Sequence, residues 1–174
     1  MKFYLSGGME YKKNFGMVWR EWLTLELEKH NHTPVDPVKL ESPDEHGNPI
    51  QKNLTKFKLE GNLDEVRKIV RGSLFPKDMY GIQLADAMVV FYDVSVQHGA
   101  GTLAEAWECF REGKPLYLVT EFPLEKVPTW LIGESTQLFF SFEDFLAYVA
   151  DENNLIMDKL GAKKAASEAL GDIY

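Results

Sequence analysis

The run His98-Gly99-Ala100-Gly101-Thr102-Leu103-Ala104-Glu105 places a carboxylate three residues after a hydroxyl and four after a glycine, at what reads as the entrance of a helix. Two glycines there let backbone approach a ligand closely. A helix starting at Thr102 sets Glu105 in its first turn, where the helix N-terminus favours an ionised carboxylate by about 0.3–1 kcal/mol. Such a group can serve as nucleophile or base. The same Thr-x-x-Glu spacing is that of a capping box, in which Thr102 bonds the amide of residue 105 and Glu105 reaches back. The spacing alone leaves both readings open.

The elements that position these residues follow from periodicity. Lys2 to Ser6 reads as a buried first strand ending at Gly7-Gly8, and Ala87 to Tyr92 as a strand buried on both faces of a parallel sheet. Between them, Phe15, Val18, Trp19, Trp22, Leu23 and Leu25 mark one face of a helix from about Lys13 to His30. A short strand follows at Thr33 to Pro37. Residues 38–60, with Pro43, Gly47 and Pro49, read as a long excursion of the kind that forms a lid. Leu63, Val66, Ile69 and Val70 suggest a helix, Gly72-Ser73 a break, and Phe75 to Leu84 another helix with Met79 and Ile82 inward. Strands at Pro115–Thr120 and Gln137–Phe140 and a helix carrying Phe142, Phe145, Leu146 and Val149 complete the pattern. The alternation predicts an α/β fold, a single-domain three-layer sandwich around a mostly parallel, flavodoxin- or Rossmann-like sheet. Residues 1–150 are expected to form that domain, and 151–174 a helical extension docking on it or on a second subunit. In such sheets ligands sit beyond the carboxyl ends of strands. Three polar ends are therefore expected to converge: Ser6-Gly7-Gly8-Met9, Asp36, and Asp93 onward.

The order of short motifs carries more than any one of them. Tyr4-Leu5-Ser6-Gly7-Gly8, then Asp78 ahead of Ala85-Asp86-Ala87-Met88-Val89-Val90, then Gly-x-Gly-Thr-x-x-Glu ending at Glu105, then Gly113-Lys114-Pro115, resembles the nucleoside 2-deoxyribosyltransferase family over about residues 2–120. That family includes nucleotide N-glycosidases and phage-encoded relatives. The resemblance implies that Glu105 attacks the anomeric carbon, that Tyr4 orients it and that Asp78 works near the base or sugar. Ser6, Gly7, Gly8, Met9, Asp93, His98, Gly99, Gly101 and Thr102 are the expected substrate contacts. It also implies a homodimer or larger assembly. The chemistry is coherent, because a carboxylate stabilises the oxocarbenium charge that develops as an N-glycosidic bond breaks and can then bond to that carbon. The leaving base needs a proton, for which Asp78 and Asp93 are the candidates. A second base completes transfer, or water completes hydrolysis.

Two departures bear on substrate. Many relatives carry Ser or Asp six residues before the glutamate, where this chain has Gly99, so His98, Ser95 or Asp93 must stand in. Nucleotide-specific relatives place basic and hydroxyl groups after the first strand, where this chain has Gly8, Met9 and Glu10. Glu10 repels a 5′-phosphate, with Arg71 and Lys77 as possible compensation, so a nucleoside is favoured over a nucleotide. The alternatives are a nucleoside 5′-monophosphate N-glycosidase and a catalytically silent nucleotide-binding protein.

Composition narrows the partners. A chain of 174 residues suits one domain, and 19 Lys+Arg against 27 Asp+Glu, a net charge of −8, disfavours nucleic-acid polymers and membrane surfaces. A small-molecule partner is expected. Cys109 is the single cysteine, no apolar run reaches the roughly 18 residues a membrane span requires, and the N-terminus loses its apolar character too early for a signal peptide. A cytoplasmic location is expected. His30 and His32 lie at a helix end without a metal-ligand cluster, and no G-x-G-x-x-G follows the first strand, so neither metal nor cofactor is expected. Trp19, Trp22 and Trp107 sit at core-packing spacing, whereas Trp130 lies in a Pro-rich loop able to line a pocket or a subunit contact.

Overall fold

The structure, a computed structural model, describes residues 1–10, 12–41 and 50–171. Five parallel strands form one sheet in the order β2-β1-β3-β4-β5: β1 Lys2–Gly7, β2 Thr33–Val35, β3 Ala87–Tyr92, β4 Leu116–Thr120 and β5 Gln137–Phe139. The order reverses between β1 and β3, which makes the cleft beyond their carboxyl ends the switch point of the sheet. Alternation along the strands sends successive side chains to opposite faces. Phe3 and Leu5 pack with Trp19, Leu23 and Leu27 of α1 (Met17–Lys29) and with Phe145, Leu146 and Val149 of α7 (Phe142–Val149). On the other face Tyr4, Met88, Val90 and Leu118 pack with residues of α4 (Phe75–Leu84), α5 (Gly101–Arg111) and α6 (Thr129–Glu134). These are the three expected layers. All six residues of β3 are buried, as their continuous apolar run requires.

Several local expectations are overturned. Helix α1 begins at Met17, because Asn14, Phe15 and Gly16 adopt left-handed backbone (φ 53°, 53° and 70°) ahead of it. Its buried stripe is Trp19, Arg20, Leu23, Thr24 and Leu27, while Val18 and Leu25 face solvent. A charged residue therefore occupies the core face. Part of the 38–60 excursion is the helix α2, Ile50–Leu59, with Leu54 buried, while residues 42–49 of that stretch lie outside the described residues. Gly72-Ser73 does not break the chain: α3 (Leu63–Ile69) runs through a wide π turn, Val70–Leu74, directly into α4. Glycine with helical neighbours on both sides is tolerated there at a cost of about 1 kcal/mol.

The last helix, α8 (Glu152–Leu170), is capped by the Asp151 side chain and packs on α5 and α7, with Leu155 in the core beneath the sheet. The Cys109 thiol is buried and free, directed at the carbonyls of Lys114 and Pro115. Among the described residues no helix is long and apolar enough to cross a membrane.

Candidate active site

Strand β1 delivers two hydroxyls to one carboxylate. Tyr4 Oη donates to Glu105 Oε1 at 3.0 Å, and Ser6 Oγ donates to Glu105 Oε2. Tyr4 Oη also lies 3.4 Å from Asp78 Oδ1, so one phenol spans both acids. The β1–β3 register and the α5 connection that follows β3 create this meeting. Gly81 of α4 makes room for it, since a Cβ there would stand 2.7 Å from the Tyr4 ring.

The capping alternative fails on geometry. Helix α5 starts one residue before Thr102, its N-cap is Ala100, and no side chain caps it. Thr102 is buried inside the helix and Glu105 lies beyond its first turn, both oxygens engaged by β1 instead. The expectation of a carboxylate held anionic by the helix terminus fails with it. Burial pushes the Glu105 pKa up to about 7, and the Asp78 charge adds to this, against the Ser6 and Tyr4 hydroxyls and the Arg20 guanidinium that favour the anion. Burial also raises Asp78, with Glu41 adding to the rise, although Lys77 and the Tyr4 hydroxyl oppose it. Lys77 Nζ stands 3.3 Å from Asp78 and 3.4 Å from Glu41, a mostly buried ion-pair chain. The Tyr4 phenol is raised well above 10 by burial and by the two carboxylates, so it serves as a donor throughout the neutral range.

These acids line a pocket with Gly7, Gly8, Met9 and Glu10 of the loop after β1, Ser95, Val96, and Gly99 to Thr102 at the start of α5. Leu54 of α2, Leu74 of the π turn and Lys77 close another side. Gly8 is required by close approach: a Cβ there would collide with the Ser95 side chain. Of the residues expected from sequence, Gly7, Gly8, Met9, Asp78, Gly99, Gly101, Thr102 and Glu105 line the pocket, with Tyr4 and Ser6 bonded to Glu105 from beneath.

Asp93, His98 and Asp36 do not line it. Burial alone would raise Asp93, but the Lys12 ammonium and the Ser95 hydroxyl and amide outweigh that and depress its pKa, which removes it as proton donor. Its work is to fix Ser95, which does reach the pocket. His98 is exposed and faces an adjoining groove with Tyr92, Leu103 and Pro128. Asp36 accepts from the Val38 amide at 2.9 Å and stands 3.8 Å from the Arg20 guanidinium. Arg71 is exposed and outside the lining, leaving Lys77 as the cation there; Glu10 is ion-paired with Lys58 of α2.

Sequence reasoning missed Arg20. Its fully buried guanidinium donates to the carbonyls of Leu5 (3.1 Å), Gly7 (2.8 Å), Phe15 (3.2 Å) and Gly16 (3.2 Å). It thus fastens the end of β1, on either side of Ser6, to the left-handed turn ahead of α1. The signal was its place four residues before Thr24 and seven before Leu27 on the buried stripe. Among the described residues no group of three or more His, Cys, Asp or Glu side chains is arranged to hold a metal ion.

The chain resembles, in three dimensions, a 2-deoxyribosyltransferase from the psychrotolerant bacterium Bacillus psychrosaccharolyticus, with a TM-score of 0.62 and 18% identity over 89% of this chain and 96% of that one. The likeness is one of fold. No family model and no curated protein matches the sequence.

Proposed function

We propose that the protein cleaves the N-glycosidic bond of a 2′-deoxyribonucleoside and transfers the sugar to another base. The observation that carries this reading is a pocket-wall carboxylate, Glu105, held through both oxygens by β1 hydroxyls and sharing Tyr4 with a second raised carboxyl, Asp78. The fold neighbour is itself a 2-deoxyribosyltransferase, which supports the same chemistry.

In the reactive state the two acids carry one proton between them. A Glu105 oxygen attacks the anomeric carbon as the C1′–N bond breaks, the bonding electrons pass to the base, and the Asp78 proton neutralises that nitrogen. The product is a glycosyl ester on Glu105 with Asp78 ionised. A nitrogen of the acceptor base then attacks the same carbon, the ester oxygen leaves, and the acceptor's proton returns to Asp78. The two hydroxyls hold the carboxylate plane in place and soften the cost of its charge. Lys77 stabilises Asp78 in its ionised phase. Ser95, braced by Asp93, takes the place of the side chain that Gly99 lacks.

A nucleoside fits better than a 5′-monophosphate. Lys77, the cation that lines the pocket among the described residues, is already committed to Glu41 and Asp78. Helix α2 acts as part of a lid, with the Glu10–Lys58 pair tying it to the loop after β1. Residues 1–150 form the catalytic domain, 151–174 an extension, and the active form is a homo-oligomer.

The test is incubation with deoxyribonucleosides and monophosphates, with and without an acceptor base, followed by mass analysis of the peptide containing Glu105. Base exchange that needs the acceptor, with one deoxyribosyl increment on that peptide, is the expected result. Equal base release without acceptor would convert the reading to a hydrolase, and undiminished turnover by Glu105→Ala would overturn it.

A further inference from the structure

The turn after β2 brings a third carboxylate close to Asp78. The Lys39 and Leu40 amides donate to the Asp36 carbonyl at 3.0 and 3.2 Å, and the turn so closed presents Glu41 with its side chain only 6% exposed. Its two oxygens have different partners. Oε1 accepts from the Ile50 amide at the start of α2 at 2.8 Å, and Oε2 accepts from Lys77 Nζ at 3.4 Å. Lys77 Nζ also stands 3.3 Å from Asp78 Oδ1. A tight charge-assisted bond is about 2.7–2.9 Å long. One ammonium is therefore divided between two anions and fully neutralises neither.

Glu41 is thus bonded to the helix that closes one side of the pocket. Leu54 of α2 lines the pocket with Asp78, and Lys58 near the far end of α2 pairs with Glu10 of the loop after β1. Among the described residues, Asp78 is faced by Lys77 of its own helix, Tyr4 of β1, Glu41 of the turn and Glu105 of α5. An anion beside Lys77 opposes the ionisation of Asp78. Glu41 does so from a fixed place only while the Ile50 amide holds it, because a carboxylate released from that bond is drawn toward water. Lys77 is then left to Asp78.

We propose that Glu41 is a positioning residue that couples the seating of α2 to proton donation by Asp78: with α2 docked it holds back part of the Lys77 charge, and Asp78 keeps its proton for the leaving base. With α2 lifted, Lys77 pairs fully with Asp78 and the acid is spent. The use of this coupling rests on the glycosyl-transfer reading, in which a leaving base needs that proton. The coupling itself is a property of the ion-pair chain and can be read without substrate.

The test is Glu41→Gln in the full chain, which keeps an oxygen for the Ile50 amide and removes the charge. Carboxyl 13C NMR follows Asp78 and Glu105 in the ligand-free protein, and the last proton the two acids share should leave at lower pH in the variant. Leu54→Ser, which loosens α2 without removing a charge, should cancel the further shift that Glu41→Gln makes. Turnover is read with an acceptor base on 2′-deoxyadenosine and on 7-methyl-2′-deoxyguanosine, whose leaving base already carries the positive charge that protonation supplies. At pH 8 the variant should lose about tenfold in kcat on the first, with KM within about twofold, and none on the second. An unmoved carboxyl titration in Glu41→Gln, a full shift that persists on Leu54→Ser, or an equal loss on both substrates overturns the proposal. A shifted titration in a protein whose native form releases no base keeps the coupling and removes the glycosyl-transfer reading.

Discussion

Two charges stand near the same strand, Arg20 fully buried and Glu105 half-buried, and are treated in opposite ways. Arg20 is wrapped by four carbonyls and stands beside Asp36, whereas Glu105 has two hydroxyls and a like-charged neighbour. The first is a satisfied charge that holds β1 still. The second is left short of what its anion needs, so its proton is exchangeable near neutrality. The contrast shows where the fold places its hydrogen bonds: β1 is fixed through its main chain so that its side chains Tyr4 and Ser6 can hold a group that is itself unsettled.

Removing the unsettled group has the largest effect. Glu105→Ala should lower kcat at least about a thousandfold while the circular dichroism spectrum is unchanged. The satisfied side breaks differently: Arg20→Met strips four carbonyls of their donor and leaves Asp36 unpaired, and should cost about 3–5 kcal/mol in urea unfolding. A loss below about 1 kcal/mol would mean that the carbonyls find other donors and the contrast is false.

Asp78→Asn should reduce kcat about a hundredfold and reshape its pH profile. On the proposed mechanism, native activity should rise as the first proton leaves the pair and fall as the second leaves near neutrality. Without the Asp78 charge the Glu105 pKa moves down and the alkaline fall disappears. Persistence of that fall would assign the proton donor elsewhere.

Glu105→Gln tests the cost of the buried anion. The folded pKa, about 7, lies above the ordinary value of 4.5, so the folded state binds this proton more tightly. Stability is therefore lost as pH rises from 4.5 and the loss is complete above about 7. The glutamine variant should be more stable by about 3 kcal/mol at pH 8, with the gain vanishing below pH 4.5 in denaturation curves. Least of all, Tyr4→Phe removes one donor to the anion, which should raise the Glu105 pKa and cost about 1 kcal/mol of transition-state stabilisation in kcat/KM.

The sheet was legible because buried parallel strands leave apolar runs with few competing interpretations, as at Ala87–Tyr92. The order of short motifs pointed to Glu105 and Asp78, which the structure brings into one pocket wall. What escaped depended on packing at a distance. Thr102-x-x-Glu105 satisfies a local capping rule, yet two hydroxyls a hundred residues earlier displace it. Arg20 escaped because its partners are main-chain carbonyls, which no side-chain pattern reveals. Ile50, Leu54 and Phe57 did carry helical spacing, but the proline and glycine before them drew the reading toward a loop. Asp93 and Asp78 are identical in type, and only their surroundings separate them: Lys12 and Ser95 depress the Asp93 pKa, whereas burial raises that of Asp78 despite Lys77.

The π turn at Val70–Leu74 holds one residue more than an α-helical path of the same length needs. Deleting a single residue there, such as Gly72, would let α3 and α4 merge into one regular helix, a change the chain can absorb without losing its strands. The merger would rotate α4 by about 100° relative to α3. Asp78 could not both keep its place near Tyr4 and Glu105 and preserve α3 where it stands. A one-codon loss in this turn is thus a short mutational path to a protein of the same sheet with its pocket acids moved apart, and an equally short path back.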